Sequence, residues 1–411
     1  MREFNGQICE NRILTRYYAA LNLTVGEALF YCAFAIYTLG VVIDSSSISQ
    51  VFPDPIEFFD SLVQVSVIAL LLIKFIIQRA EPKAWALACV LVCIGFLTWH
   101  QSQEGWFFWV PLFIVCSEGV RIRGLALVSM SILAIGVSFI ILFSVFGLIP
   151  DIQAVQNGYI RHSLGFQHPN TLALFPLMIC VSYSVLCFGK NPITCIVALF
   201  VCDLFNFLTA HSRTVFLLFL IQAVLMIVFY LVKDSARRKT VSIWFALLAV
   251  AVVGSSLYLM VCFNPSDPFQ LKLNSILSGR FYLANGYYKM SSLTLLGNSF
   301  SGCQSLMWWE PEAARSIVID NAWCHLILRF GIIPTLLLLA AIFLLYKDKI
   351  KTGQWDAVLY GITLMICYGF TETVGIRIEF NYFLIAVGSE LLYRVNFDCS
   401  DANTKNLQQN P

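Results

Sequence analysis

The sequence predicts an all-α polytopic membrane protein with about twelve transmembrane helices, forming a single integral membrane domain over residues 1–411. Three observations predict it. The chain is 59% hydrophobic and 12% charged, where a soluble domain is about 45–50% apolar and about 25% charged. Apolar runs recur from end to end, and a spanning helix needs about 20 such residues. The basic residues fall on alternate connections, as they do in multi-pass proteins.

The expected spans follow in order. The first, 23–43, comes after Arg2, Arg12 and Arg16 and carries no small-residue cleavage site, so it reads as a span and not as a signal peptide. Spans 58–77 and 84–99 are joined by a segment with Lys74, Arg79 and Lys83. A short aromatic span, 105–118, stops at Arg121 and Arg123, and 124–148 follows. Pro169 opens 169–188, which ends at Lys190 before 192–209. Ser212-Arg213 starts 213–232, and Lys233, Arg237, Arg238 and Lys239 precede 241–262. Span 321–346 contains Gly331 and Pro334, which kink helices and are tolerated in membrane bundles. It ends at Lys347, Lys349 and Lys351. Spans 355–373 and 378–393 close the series, with Arg394 and Lys405 after them. With both termini inside, eighteen of the 26 basic residues lie on the inner segments.

The eight outer basic residues differ in kind. They are Arg161, Arg213, Lys272, Arg280, Lys289, Arg315, Arg329 and Arg377, so six are arginine, against nine of eighteen inside. Arginine offers a planar fork that grips phosphate oxygens in pairs. All five histidines, His100, His162, His168, His211 and His325, also fall on or near the outer side. Polar groups crowd most densely in Arg161-His-Ser-Leu-Gly-Phe-Gln-His-Pro-Asn170, where lipid disfavours them unless they serve a function. The outer face therefore reads as a site for an anionic group with proton-transfer chemistry at hand.

Two outer loops are long, 149–168 and 263–320, and long loops in compact folds are usually functional. In the larger external loop, Ser278-Gly-Arg280 begins a helix through Tyr287 and Tyr288, with Leu295–Ser299 as its exit turn and Trp308-Trp309 at the membrane interface. This loop reads as a lid or half-embedded hairpin. The 14 cysteines are scattered through apolar stretches, which gives neither a disulfide framework nor a zinc spacing. Asp203 and Arg329 either line a substrate path or satisfy one another. Lys74 and Glu390 lie near span ends, where they reach water, and Glu372 is expected to pair with Arg377.

Arg161 to Asn170 with Thr171-Leu-Ala-Leu-Phe175, then Ser212-Arg213, Ser278-Gly-Arg280, and Asp320-Asn321 before Leu328-Arg-Phe-Gly-Ile332 together resemble one family. These are the bacterial O-antigen, capsule and exopolysaccharide polymerases of the Wzy type, related to the O-antigen ligases. The resemblance implies a GT-C-like glycosyltransferase in the bacterial cytoplasmic membrane, N- and C-termini cytoplasmic. It would transfer a glycan from undecaprenyl pyrophosphate to a lipid-linked repeat unit on the outer face, without cofactor or metal. Implied partners are that lipid-linked oligosaccharide, membrane lipids, a repeat-unit flippase and a chain-length regulator, with no nucleic acid. Arg161, Arg213 and Arg280 would stabilise the negative charge on the departing pyrophosphate, with Arg377 as a weaker fourth. Asp320 is the first choice of base and His168 the second. Asn170 either orients a sugar hydroxyl or satisfies backbone freed by Pro169, and Asn321 is a further substrate-binding candidate. The ligases carry a His-Asn pair where this chain has Asp320-Asn321, which favours a polymerase. Two alternatives stand beside it: a ligase-like transferase serving another acceptor, and a polysaccharide or lipid transporter. Transporters tend to have internal repeats and midplane sites, and neither is evident here.

Overall fold

Thr24 starts the first helix with a reciprocal cap: its hydroxyl accepts from the Glu27 amide while the Glu27 carboxylate accepts from the Thr24 amide. From there the computed structural model describes residues 23–78, 82–156, 158–190, 192–306 and 317–393. Arg315 and Trp308-Trp309 lie outside the described residues.

Helix α1 (Val25–Asp44) turns back onto α2 (Pro53–Ile77), and the two approach closely at Gly40, where a Cβ would sit 2.9 Å from Val63. There follow α3 (Pro82–Ser102), a 3-10 turn Gly105–Phe108, α4 (Trp109–Val115) and α5 (Ile122–Val145). A small antiparallel hairpin, β1 (Gln153–Gln156) and β2 (Tyr159–His162), pairs Ala154 with Arg161. After it come α6 (Pro169–Leu186), α7 (Ile193–Leu208), α8 (Arg213–Leu231) and α9 (Ser235–Cys262). The large loop carries α10 (Pro268–Ile276) and α11 (Arg280–Met290). The last elements are α12 (Ala322–His325), a π turn Leu326–Phe330, α13 (Ile332–Thr352), α14 (Ala357–Tyr368) and α15 (Phe383–Leu392).

Burial sorts these helices into centre and rim. Helices α14 and α15 are buried on almost every face, as befits sequences that are apolar all round. Helices α2, α3 and α9 bury one narrow stripe and expose large apolar side chains elsewhere, Phe58 at 73% for example. Such faces belong against lipid. Among the described residues, α1, α2, α3, α5, α6, α8 and α9 are long and apolar enough to cross a membrane. The protein is thus an all-α membrane protein. The segment 105–115, α7, α14 and α15 are apolar but shorter.

Two expected spans take a different form. The span at 105–118 is a 3-10 turn and a seven-residue helix that ends at Val115. The span at 321–346 is broken at Gly331, whose φ of 92° and ψ of 179° no helix contains. The break is filled by the large loop. Ile332 and Ile333 donate their amides to the Thr294 and Leu295 carbonyls, at 2.9 and 3.0 Å, and Asn298 donates to Arg329 O at 2.9 Å. The backbone groups freed by the break are therefore satisfied without water. Pro334 falls in the first turn of α13, where a missing amide costs nothing. The expected helix after Ser278-Gly279 is present as α11. It ends at Met290, and Leu295–Ser299 forms the strip laid against the broken helix.

Two charges near span ends also depart from expectation. Lys74 is buried and donates to the Glu118 carbonyl at 2.9 Å. Glu390 does not reach for water but accepts from the buried Lys349 at 2.8 Å, which also pairs with Asp356 at 2.5 Å.

A Cβ at Gly331 would lie 2.8 Å from both the Leu295 carbonyl oxygen and the Gly297 nitrogen, whereas one at Gly254, inside α9, meets nothing. Gly331→Ala should therefore lower the thermal unfolding midpoint of the detergent-purified protein, by the equivalent of about 1–3 kcal/mol for the backbone conformation alone. Gly254→Ala should leave it unchanged or raise it. Equal midpoints for the two variants would mean that the Gly331 break does not constrain the fold.

Candidate functional site

The site is assembled at the bundle end where α1, α3, α5, α7 and α9 finish and α6 and α8 begin. Its first part is the stretch 151–170. Asp151 staples the hairpin's return: Oδ1 accepts from the Ser163 and Leu164 amides at 2.9 and 2.8 Å, and Oδ2 lies 2.6 Å from His162 Nδ1. Burial alone would push the Asp151 carboxyl up, but His162 and those two amides outweigh it and hold it below the usual carboxylate range. Leu164 and Gly165 then take positive φ, 43° and 90°. A Cβ at Gly165 would come within 3.0 Å of the Ile140 carbonyl, so the turn fits against α5 only as glycine. Phe166 is fully buried, and Gln167 Nε2 donates to the Asp44 carbonyl at 2.6 Å.

His168 is the N-cap of α6. Its Nδ1 accepts from the Asn170 amide at 3.0 Å, which leaves the proton of a neutral ring on Nε2. Pro169 takes the first helical position and Asn170 the second. Asn170 Oδ1 accepts from Arg161 Nη2. Arg161 is buried and also donates from Nε to the Ala210 carbonyl at 2.7 Å. Burial lowers its guanidinium pKa from the ordinary value.

The α7–α8 turn is shaped by Asn206, which is 2% exposed. Its amide accepts from Ser212 N and donates to Ser212 O, both at 3.1 Å. His211 takes a φ of 47° within this turn and stacks on Tyr159. Arg213 consequently opens α8. Its side chain is exposed and has no partner among the described residues. Ser212, the N-cap, makes no side-chain cap bond, so the first-turn amides of α8 lack a side-chain acceptor. A cleft of about 490 Å³ lies here between Arg161, Arg213, His211 and Asp203. Its wall is Phe200, Phe207 and Phe216 on the exposed flank of α7 and α8.

Arg280 reaches the same helix end from the large loop. Ser278 and Gly279 at φ 56° and 85° turn the chain sharply, and Asn274 Oδ1 caps α11 by accepting from Phe281 and Tyr282. The buried guanidinium donates to Glu372 Oε1 at 2.6 Å, Leu277 O at 3.1 Å and Thr214 Oγ1 at 3.2 Å. Its Nε lies 3.4 Å from Asp320 Oδ2, on a side chain that is 37% exposed. Arg161, Arg213 and Arg280 thus converge on the first turn of α8, through Ala210, the helix start itself and Thr214. Asp320 stands beside Arg280.

Asn321, not Asp320, caps the following helix. Its Oδ1 accepts from Trp323 and Cys324 at 3.0 Å, and its Nδ2 donates to Ser256 Oγ and Phe370 O. It is fully buried, so its polar atoms are committed to the fold. Arg377 does not pair with Glu372, which belongs to Arg280. It pairs with the buried Glu379 at 2.5 Å and lies over the Trp106 and Phe380 rings. Arg329 and Asp203 are likewise not partners. Arg329 pairs at 2.7 Å with Glu104, which also meets His325 Nε2 at 2.9 Å and the Trp106 indole N–H at 3.0 Å. Burial would raise the Glu104 carboxyl, but His325 and Arg329 hold it below the usual range. The sequence reading missed Glu104 and Glu379 altogether, because each acquires its place through a partner remote in the chain or inside a turn.

No protein-family model matches this chain, and neither a curated protein nor a solved structure matches it.

Asp151 gives this end a pH dependence of defined sign. A depressed folded pKa contributes stability that is present above the unfolded value, about 3.9, and is lost as the pH falls through the lower folded value. Amide exchange across residues 153–165 should therefore accelerate below about pH 4, and Asp151→Asn should abolish that dependence while Glu104, of the same sign, keeps its own. Identical protection on both sides of that pH in the unsubstituted chain would remove Asp151 as the staple.

Proposed function

We propose that this chain is a membrane glycosyltransferase, a polysaccharide polymerase that moves a glycan from undecaprenyl pyrophosphate onto a lipid-linked repeat unit. The single observation that carries this reading is the convergence of three arginines on one uncapped helix start. The N-terminus of the 19-residue α8 offers free amides and the positive end of the helix dipole. Arg161, Arg213 and Arg280 surround it, and the aromatic wall of Phe200, Phe207 and Phe216 runs from it toward lipid. A ligand with a pyrophosphate head and a polyprenyl tail suits both halves of that surface.

In the reaction, the bond between the sugar's anomeric carbon and the pyrophosphate oxygen breaks as the acceptor hydroxyl attacks. The electron pair leaves with the pyrophosphate, whose growing charge the arginines stabilise. The hydroxyl proton passes to Asp320. Arg280 touches both sides of this exchange, holding Asp320 at 3.4 Å while contacting Thr214 at the helix start. His168 serves less well as a base, since its Nδ1 is occupied by the Asn170 amide. We read the seven long helices, the four shorter apolar ones and α13 as twelve spans, with this polar end on the outer face of the bacterial cytoplasmic membrane and both termini in the cytoplasm.

Arg213→Lys should lose nearly as much polymer as Arg213→Ala in a complementation assay, because lysine keeps the charge and loses the fork. Removal of one such donor is expected to cost about 10²–10³ in rate. Wild-type polymer from the lysine variant would reduce Arg213 to surface charge. In cells lacking the chain, single repeats should accumulate on the lipid carrier; full-length polymer that stays lipid-linked would instead indicate a ligase-like transferase.

Asp320→Asn should express normally and make no polymer, since an amide cannot take the hydroxyl proton and Asn321 already supplies the cap. Normal polymer from Asp320→Asn, with none from His168→Gln, would move the base to His168. For orientation, an impermeant thiol reagent should mark Lys289→Cys and spare Lys351→Cys in intact cells, on a background without native cysteines. The opposite pattern would put the arginine cluster in the cytoplasm.

A further inference from the structure

A second cavity, of about 370 Å³, opens between α1, α2, α3 and the Gly105–Phe108 turn. Its surfaces are of two kinds. Five aromatic side chains, Tyr37, Trp99, Trp106, Phe108 and Trp109, line it. Asp44, Asp60 and Gln64 present polar groups, and none of their side chains has a hydrogen-bond partner among the described residues. Asp60 and Gln64 lie one turn apart on α2, so both side chains fall on the face that carries Val63 and lines the cavity.

We propose that this cavity is a glycan subsite that takes a neutral, hydroxyl-rich saccharide segment. A pyranose has C–H-rich faces that pack on indole rings and a rim of hydroxyls that donate to carboxylates. That is the combination of apolar lining and few convergent polar groups that small-molecule sites use. Charge selects the class further. Arg377 lines the cavity, but Glu379 neutralises it at 2.5 Å. With Asp44, Asp60 and Glu379 set against the one guanidinium of Arg377, the cavity keeps a negative balance among the described residues that disfavours phosphate and uronate. A bare cation fits poorly, because hard cations need six or more oxygen ligands and the rest of this wall is aromatic and aliphatic side chains, two glycines and Arg377.

The rings are held in place. The Trp106 indole N–H donates to Glu104 at 3.0 Å, and the Arg377 guanidinium lies 5.6 Å over the ring. Trp109 packs at 5.1 Å against Tyr37. The cavity also adjoins the arginine cluster. The Asp44 backbone is gripped by Gln167 at 2.6 Å, and Gln167 precedes His168, Pro169 and Asn170, the partner of Arg161. Four consecutive residues thus bridge the neutral subsite and the anion cleft. Assignment of this cavity to the acceptor repeat rests on the polymerase reading above; saccharide binding itself does not.

The test uses the full chain purified in detergent and three probes: maltotriose, the N-acetylglucosamine trimer and trigalacturonate. Tryptophan fluorescence should change saturably with the first two, and at least tenfold more weakly with the third. Asp60→Asn and Trp106→Phe should each weaken maltotriose binding about tenfold or more, and Arg213→Ala should leave it unchanged. A saturable response to none of the three, equal binding of trigalacturonate, maltotriose binding unaltered in both cavity variants, or a response to sodium ions in place of sugar would each overturn the proposal. The two readings fail separately. Saccharide binding together with normal polymer in cells lacking the chain would sink the polymerase reading alone, and polymer lost in those cells without saccharide binding by the purified chain would sink the subsite alone.

Discussion

A peptide group in hydrocarbon has no water to bond, and most of this structure follows from that constraint. Long helices satisfy it internally. Wherever a helix stops inside the bundle, another segment takes over its loose amides and carbonyls. The Gly331 break is answered by residues 294–298. The buried start of α12 is answered by Asn321, and the α7–α8 turn by Asn206 bonding both ends of Ser212. Three loops are fixed in this way, and they are the loops that hold Arg329, Asp320 and Arg213. Backbone satisfaction and site geometry are therefore one problem. The exception is the start of α8, whose first-turn amides have no side-chain acceptor although three arginines stand around it.

The three arginines occupy different electrostatic states. Arg161 is buried and donates to the Ala210 carbonyl and to the Asn170 side-chain oxygen. Arg280 is buried between two carboxylates, where removal of one partner strands a charge in low dielectric. Arg213 is exposed and has no partner among the described residues. A cation held rigidly, a cation held in balance and a mobile cation differ in what each can do for a ligand. On the proposed reading the first would set position, the second would carry the base on its flank, and the third would follow charge as it moves.

Much of this was legible in the sequence, and the physics explains which parts. Apolar spans are local in sequence, so the seven long helices read directly, whereas the stretches expected at 105–118, 355–373 and 378–393 form shorter helices. The left-handed turn at Ser278-Gly279 and the helix from Arg280 are likewise local. Pairings are not. Glu372 stands five residues from Arg377 yet bonds Arg280, because the chain folds back through the large loop. Asp320 and Asn321 are adjacent and chemically similar, and only the helix start decides that the asparagine caps and the aspartate pairs with Arg280. The hairpin at 153–162 is too short to give a period. The fate of Gly331 depended on a loop strip far away in the sequence. The aromatic cavity escaped notice because Asp44, Asp60 and the tryptophans sit on four separate segments.

The phenylalanine wall below the arginine cleft has a kinetic consequence. A ligand whose tail lies along Phe200, Phe207 and Phe216 keeps that tail in the bilayer throughout its visit. Its search for the protein is then confined to two dimensions, and the quantity that sets encounter frequency is the number of carriers per unit of membrane area. Dilution of the aqueous phase leaves such a reaction untouched. Addition of inert lipid slows it, since each carrier then patrols a larger sheet.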